Sequence, residues 1–268
     1  MPKRKSKENS GLCPFCHREK NLNEEHVIPD TLFSPGDTDK LVINICHQCN
    51  NGMSAAVRDL RNLIALGLES LSHPDAIHHL RKIVDTNEAT KIWLKKAIDD
   101  AEEVDFVTED GIVIGQALAT EFNKEPARKA LAQIVRGLYF VTTGTPLPYG
   151  VPISVMEIPI TGARQFVQNM TQIEHGEIES RGSNVATWVP YTDLPGQGAE
   201  TTAWILIFWN SICFFGGTGA YAQPIETMWQ EGLDNADNAT RIDGRRQILS
   251  PRQPNGQYYV PPYLAEYT

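Results

Sequence analysis

Two Cys-x-x-Cys pairs, Cys13 with Cys16 and Cys46 with Cys49, constrain this 268-residue chain more than any other feature. A Cys-x-x-Cys turn sets two sulfurs on one side of an ion, and two such turns close a tetrahedral four-thiolate zinc site. The pairs are separated by 29 residues, more than the ~15–20 of a simple two-knuckle site. A folded insertion is therefore expected between the knuckles. A segment this small has little core of its own, so structural Zn²⁺ would supply much of its folding energy. In a reducing compartment this spacing favours metal over disulfides. His17 and His47 adjoin the cysteines but are read as bystanders, because four thiolates already complete the set. Cys13-Pro14-Phe15-Cys16-His17 also has the form of a c-type haem attachment site, which needs export and leaves the second pair unexplained.

Export is not expected. Lys3, Arg4, Lys5 and Lys7 open the chain, but no apolar stretch follows as in a secretory signal. The longest apolar run, Ala203 to Trp209, is far short of the roughly 20 residues a membrane helix needs. The cytoplasm is the expected compartment, with no membrane partner. The chain carries 24 Lys and Arg against 33 Asp and Glu, a net charge of -9. That excludes coating of nucleic acid through a bulk positive field. Residues 1–20 hold six basic residues against two acidic ones, so the other 248 carry a net -13. Nucleic-acid contact should be local.

Texture divides the chain into four parts. Residues 1–10 are a basic leader expected to be disordered. Residues 11–60 are the cysteine module, merging into a helix in which Met53, Ala56, Val57, Leu60, Ile64 and Leu68 recur at helical steps. Residues 61–145 are mainly helical, with helices near 75–84, 88–102 and 125–140. The last carries one apolar stripe of Ala127, Ala130, Leu131, Ile134, Val135 and Leu138. Between the last two, 104–118 reads as a hairpin turning at Glu109-Asp110-Gly111. Residues 146–268 are β-rich, with strands at Val151 to Ile160, Val185 to Tyr191 and Ala203 to Phe215 and a short helix around 163–171. The fold class is α+β.

The insertion between the knuckles holds the second signal: Glu24-Glu25-His26-Val27-Ile28-Pro29, followed after the second pair by Asn50-Asn51. A hairpin would carry Glu25 and His26, and the next helix would bring Asn50 to face them. A carboxylate and an amide oxygen are hard ligands suited to Mg²⁺. A neutral imidazole beside them can take a proton from an attacking water, while the metal stabilises the leaving oxygen of a phosphodiester.

Together these residues resemble the HNH endonucleases of the ββα-metal (His-Me finger) fold, in the zinc-bearing branch similar to McrA-type nucleases. The resemblance covers about residues 11–60 and runs Cys-x-x-Cys, Glu-His-Val-Ile-Pro, Cys-x-x-Cys-Asn in the family's order. It implies that His26 is the general base, that Glu25 and Asn50 bind catalytic Mg²⁺ or Mn²⁺, and that Cys13, Cys16, Cys46 and Cys49 hold structural zinc. It further implies hydrolysis of DNA rather than RNA, leaving 5′-phosphate and 3′-hydroxyl ends, with restriction or phage defence as the setting. A homodimer would let one site per chain cut both strands, and a partner protein would restrain the nuclease. One position departs from the pattern. The central Asn, nine residues before the final one, is Leu41 here, with Asn44 or Asp39 as its candidate replacement.

Two other readings compete. One is a non-catalytic zinc module that binds nucleic acid or protein. The other places the main activity in 146–268, with the zinc module only docking it. Outside the motif the signals are weak. The leader would touch phosphates or stay a solvated tail, and Arg241, Arg245, Arg246 and Arg252 with Tyr258, Tyr259 and Tyr263 would lie along nucleic acid or pack back on their own domain. Gly216-Gly217-Thr218-Gly219 lacks a Gly-Lys-Ser/Thr ending and reads as a turn. His73, His78 and His79 are expected in solvent. Trp204, Trp209 and Cys213 read as core.

Overall fold

Short polar-apolar alternation makes the first sheet, and continuous apolar runs make the largest one. The computed structural model describes residues 9–33, 39–66, 73, 76–78, 81–82, 88–107, 113–121, 123–158, 166–170, 172, 175–182, 185–192, 197–209, 212–234 and 246–251. Strands β1 (Asn9–Leu12), β2 (Glu19–His26) and β3 (Val42–Cys46) form an antiparallel sheet in that order. Helix α1 (His47–Asn51) follows β3 directly, and α2 (Ser54–Leu66) follows α1. The insertion between the knuckles is thus strand, long connection, strand. Ile43 and Ile45 of β3 alternate inward, as period-two burial requires.

Helix α3 (Glu88–Asp99) leads into the hairpin of β4 (Glu102–Val107) and β5 (Val113–Glu121). The hairpin lies where the sequence puts it; its turn, 109–111, falls outside the described residues. A third strand joins it from the far end of the chain, because β11 (Arg246–Pro251) pairs with β5. Helix α4 (Glu125–Thr143) buries the whole anticipated stripe together with Gly137 and Tyr139. It ends at Gly144, whose left-handed φ of 70° suits a residue with no Cβ.

The large sheet has the order β6-β10-β9-β8-β7, from β6 (Ile153–Ile158), β7 (Glu179–Arg181), β8 (Ala186–Tyr191), β9 (Ala203–Phe208) and β10 (Ile212–Thr218). It is covered on both faces. Trp204, Leu206, Phe208, Ile212 and Phe214 join the main core with α4, while Ala203, Ile205, Cys213 and Phe215 form a second cluster with Ile225 of α5 (Ala222–Asp234). Burial on both sides is why β9 and β10 read as unbroken apolar runs rather than alternating ones. It also corrects two expectations. The run from Ala203 to Phe215 is two strands: the chain reverses after Phe208, which pairs with Ile212, and Trp209 takes a left-handed φ of 49°. The signal passed over is Asn210-Ser211, two turn-forming residues between apolar stretches.

Gly216, Gly217 and Thr218 continue β10 rather than turning. A Cβ on Gly216 would lie 2.9 Å from Val135 of α4, and one on Gly217 would lie 2.5 Å from Ile225 of α5. These glycines let a helix approach each face. A third correction is His73, which is buried and stacks on Trp209 with ring centroids 6.4 Å apart; His78 is exposed, and His79 lies outside the described residues. Trp204, Trp209 and Cys213 are core, as read. Residues 1–8 and 252–268, with the leader and the C-terminal tyrosines, are outside the described residues, as are Arg241 and Arg245. No described helix is long and apolar enough to cross a membrane.

The main core is continuous from Cys13, Val27, Ile28 and Ile45 through α2 and α4 to Trp188, Trp204 and Phe214. The cysteine module is therefore seated on the rest of the chain, chiefly through α4. Gly137 allows a close approach, since a Cβ there would lie 2.9 Å from Cγ1 of Val27.

Candidate metal centre and adjoining polar site

The first knuckle forms between β1 and β2. Cys13 donates its N–H to the Arg18 carbonyl at 3.0 Å and accepts the His17 N–H at 2.9 Å, folding the four-residue turn back on itself. His17 closes it in a left-handed conformation, φ 55°. The second knuckle forms at the junction of β3 and α1, with Cys46 extended at the helix N-cap and Cys49 on the first turn. Ladder pairing of Leu22 with Cys46 brings the knuckles together.

The four Sγ atoms lie within 4.8 Å of one another. Cys16 and Cys46 are 3.8 Å apart, and the Cys46 N–H points at Cys13 Sγ from 3.4 Å. A tetrahedral zinc with Zn–S bonds near 2.3 Å has S···S edges of about 3.8 Å, so the cluster is consistent with a structural Zn²⁺ site. Burial raises the Cys46 thiol, but hydrogen bonds from the Cys49 N–H and the other thiols bring it down to about 7. Burial and the neighbouring sulfurs push Cys49 well up, and burial also raises Cys16. Four thiolates share so small a volume only when a cation compensates them. All five cysteines are free of disulfides.

The histidines beside the knuckles do other things. His17 Nε2 hydrogen-bonds the Leu147 carbonyl at 2.9 Å, and its ring meets Tyr149 edge-on. His47 lies against the Asn51 amide. Neither belongs to the four-sulfur cluster.

The second set of residues gathers where β2 ends. Glu25 pairs across the ladder with Ile43 and His26 with Val42. Adjacent strand residues point to opposite faces. Glu25 thus shares the face of buried Ile43, and His26 that of Val42, which is 43% exposed. The Asn50 side chain, arriving on α1, lies close enough to the Glu25 carboxylate to favour its charged form. Burial raises the Glu25 carboxyl above its ordinary range; Asn50 and His26 partly offset the rise, and Asp30 adds to it. All three residues are half-buried.

At Leu41 the main chain braces the site, because the Leu41 carbonyl accepts the N–H of Val27 at 2.9 Å. That bond fixes the residue immediately after His26. Of the two candidate replacements, Asn44 lies on the strand face of His26 and Asp39 lies away from it. Asn44 is exposed opposite Glu24, and Asp39 forms an ion pair with Arg181 at 3.5 Å.

One residue of this region is missed by sequence reasoning. Arg136 of α4 donates from Nη1 to the carbonyl of Phe15, inside the first knuckle, at 3.0 Å. Its signal is a lone cation within the apolar sequence Ile134-Val135-Arg136-Gly137-Leu138. Compared with known proteins, the chain matches no family model, no curated protein and no solved structure.

Proposed function

We propose that the chain is a zinc-stapled, metal-dependent endonuclease of the HNH type that hydrolyses phosphodiester bonds in DNA. The observation that carries this reading is the approach of Asn50 to Glu25 at the end of β2, with His26 next along the strand on its other face and the strand tied to a four-cysteine cluster. Strand β2, strand β3 and helix α1 supply these residues in the strand-strand-helix order of the resemblance.

The donor set fits a divalent cation. Two oxygens in adjacent positions of an octahedral Mg²⁺ site are about 2.9 Å apart. The Glu25 carboxylate and the Asn50 carboxamide approach from β2 and α1, and an ion between them would draw their oxygens to that spacing. Rotation of the Asn50 amide exchanges its nitrogen for its oxygen, an assignment set by the surroundings. Held by Glu25 and Asn50, Mg²⁺ or Mn²⁺ would supply Lewis-acid stabilisation of the leaving oxygen.

His26 does the proton chemistry. Its neutral ring takes one proton from a water as the water oxygen bonds to phosphorus and the bond from phosphorus to O3′ breaks. The departing O3′ is protonated by solvent, leaving a 5′-phosphate and a 3′-hydroxyl. In-line displacement needs the attacking water and the leaving oxygen on opposite sides of phosphorus. Consecutive residues on opposite faces of β2 suit a backbone lying across the strand end, with Glu25 on one side and His26 on the other. The Val27–Leu41 bond and the Val27–Gly137 contact hold that end in place.

Supercoiled plasmid tests this against a zinc module that only binds. With zinc retained, a nuclease nicks or linearises plasmid in Mg²⁺ or Mn²⁺ and stops when that ion alone is withdrawn. A binder retards the plasmid without cutting it and releases it only when zinc is stripped.

A further inference from the structure

We infer that Arg136 is the outer-shell cation of the four-cysteine centre, holding the metal-thiolate cluster by charge as well as tethering its first knuckle. This rests on the zinc reading of the cysteines and is independent of the nuclease reading.

Two observations carry it. First, Arg136 reaches from the middle of α4 into the knuckle, where Nη1 donates to the Phe15 carbonyl, one residue before Cys16. Second, its Nε is buried and has no hydrogen-bond partner among the described residues. A half-buried guanidinium with a buried, unpaired donor is costly unless an anion lies close by.

Charge arithmetic then gives the arrangement its reason. Four thiolates around one Zn²⁺ leave a net charge of -2, set in a cluster where Cys13 and Cys46 are fully buried. A fixed cation beside a buried dianion lowers the free energy of the loaded state. Partners beyond the ligands themselves often tune metal affinity by roughly 10–100-fold. Arginine suits the task, because it stays charged when buried and can donate to a carbonyl and face sulfur at once. The next residue, Gly137, seats Val27 beside His26. Helix α4 therefore grips the knuckle and the strand end through consecutive residues.

The test is zinc retention by the full-length protein against a competing chelator, read by a colorimetric zinc indicator. Wild type, Arg136→Lys, Arg136→Gln and Arg136→Met are compared. Arg136→Lys keeps the charge, and Arg136→Gln keeps a donor for the Phe15 carbonyl without it. The expected order is wild type, then Arg136→Lys, then Arg136→Gln and Arg136→Met together, with the neutral variants at least 10-fold weaker than wild type. Circular dichroism in excess zinc shows which variants are folded. Should Arg136→Met not fold, the Lys and Gln variants still decide. Equal retention by wild type and Arg136→Gln would make Arg136 a tether only and overturn the inference. A wild-type protein with no bound zinc would overturn the zinc reading and the inference with it.

Discussion

Strands β1 to β3 carry exposed or half-buried side chains at most positions and converge on four cysteines, whereas β8 to β10 bury nearly every side chain they have. The first region gets its definition from ligands at fixed places. The second gets it from apolar area on two faces, with Trp188, Trp204 and Phe208 each almost fully buried. Charged groups divide the same way. Arg128, on α4 over the large sheet, donates to Val155, Glu125, Ser154 and Glu226 and stacks on Trp229. That is a saturated structural cation. Arg136, two turns further along the same helix, has a buried donor to spare while it holds the first knuckle at the Phe15 carbonyl. Charge with spare capacity is where binding chemistry has room to operate.

The sharpest break between the regions should come from metal removal. Structural zinc contributes on the order of 10 kcal/mol to folding in small modules. Stripping zinc, or making Cys49→Ser, should abolish amide protection across 9–51 while β8 to β10 stay protected. Hydrogen exchange reads both at once. Uniform loss of protection would mean that the two regions stand or fall together through their common core.

The opposite perturbation is Trp204→Ala. It removes a fully buried side chain whose Nε1 donates to Thr202 at 2.7 Å, and it should cost about 3–5 kcal/mol in denaturant unfolding. Zinc content of the folded fraction should stay at one per chain. A smaller cost is expected from Gly217→Ala, where the added methyl meets Ile225. Overpacking of this kind destabilises by about 1–3 kcal/mol, and Ile225→Ala in the same chain should recover part of it by making room.

The smallest effect is a pH dependence confined to the large-sheet side. Burial pushes the Glu226 carboxyl up, but hydrogen bonds from Arg128, Gln230 and Ser154, with the Arg128 charge, pull it down to about 2 from 4.5. A depressed folded pKa stabilises above the unfolded value. That contribution is present above about pH 4.5 and disappears as pH falls toward 2. The carboxylate is 37% exposed, so solvent screening keeps the effect modest. Thermal melts of wild type and Glu226→Gln should converge as pH drops through this window; a constant gap would assign the difference to packing.

The legible parts of the molecule are those where chemistry fixes spacing. The cysteine cluster, the hairpin carrying Glu25 and His26, and Asn50 on the following helix could be read because ligand and turn geometry leave few alternatives. The α4 stripe was legible from periodicity, and the large-sheet strands from their apolar runs, although one run proved to be two strands. What escaped depends on contacts distant in sequence. The pairing of β11 with β5 joins residues more than a hundred positions apart. The role of Gly216 and Gly217 exists only once two helices cover the sheet. Arg136 looks like an interruption of an apolar stripe until the knuckle is docked against it. Bracing by the Leu41 carbonyl is invisible to side-chain reasoning, because any residue there offers the same oxygen.

Plasmid nicking by zinc-loaded wild type beside His26→Ala, in Mg²⁺ and at equal zinc content, tests the hydrolytic reading most directly. The prediction is nicking by wild type and a loss of roughly 100-fold or more in the variant, the scale of a general base. Equal rates would contradict it, placing any cutting activity outside the β2 strand end, and no cutting by either would leave the four cysteines serving a binding module.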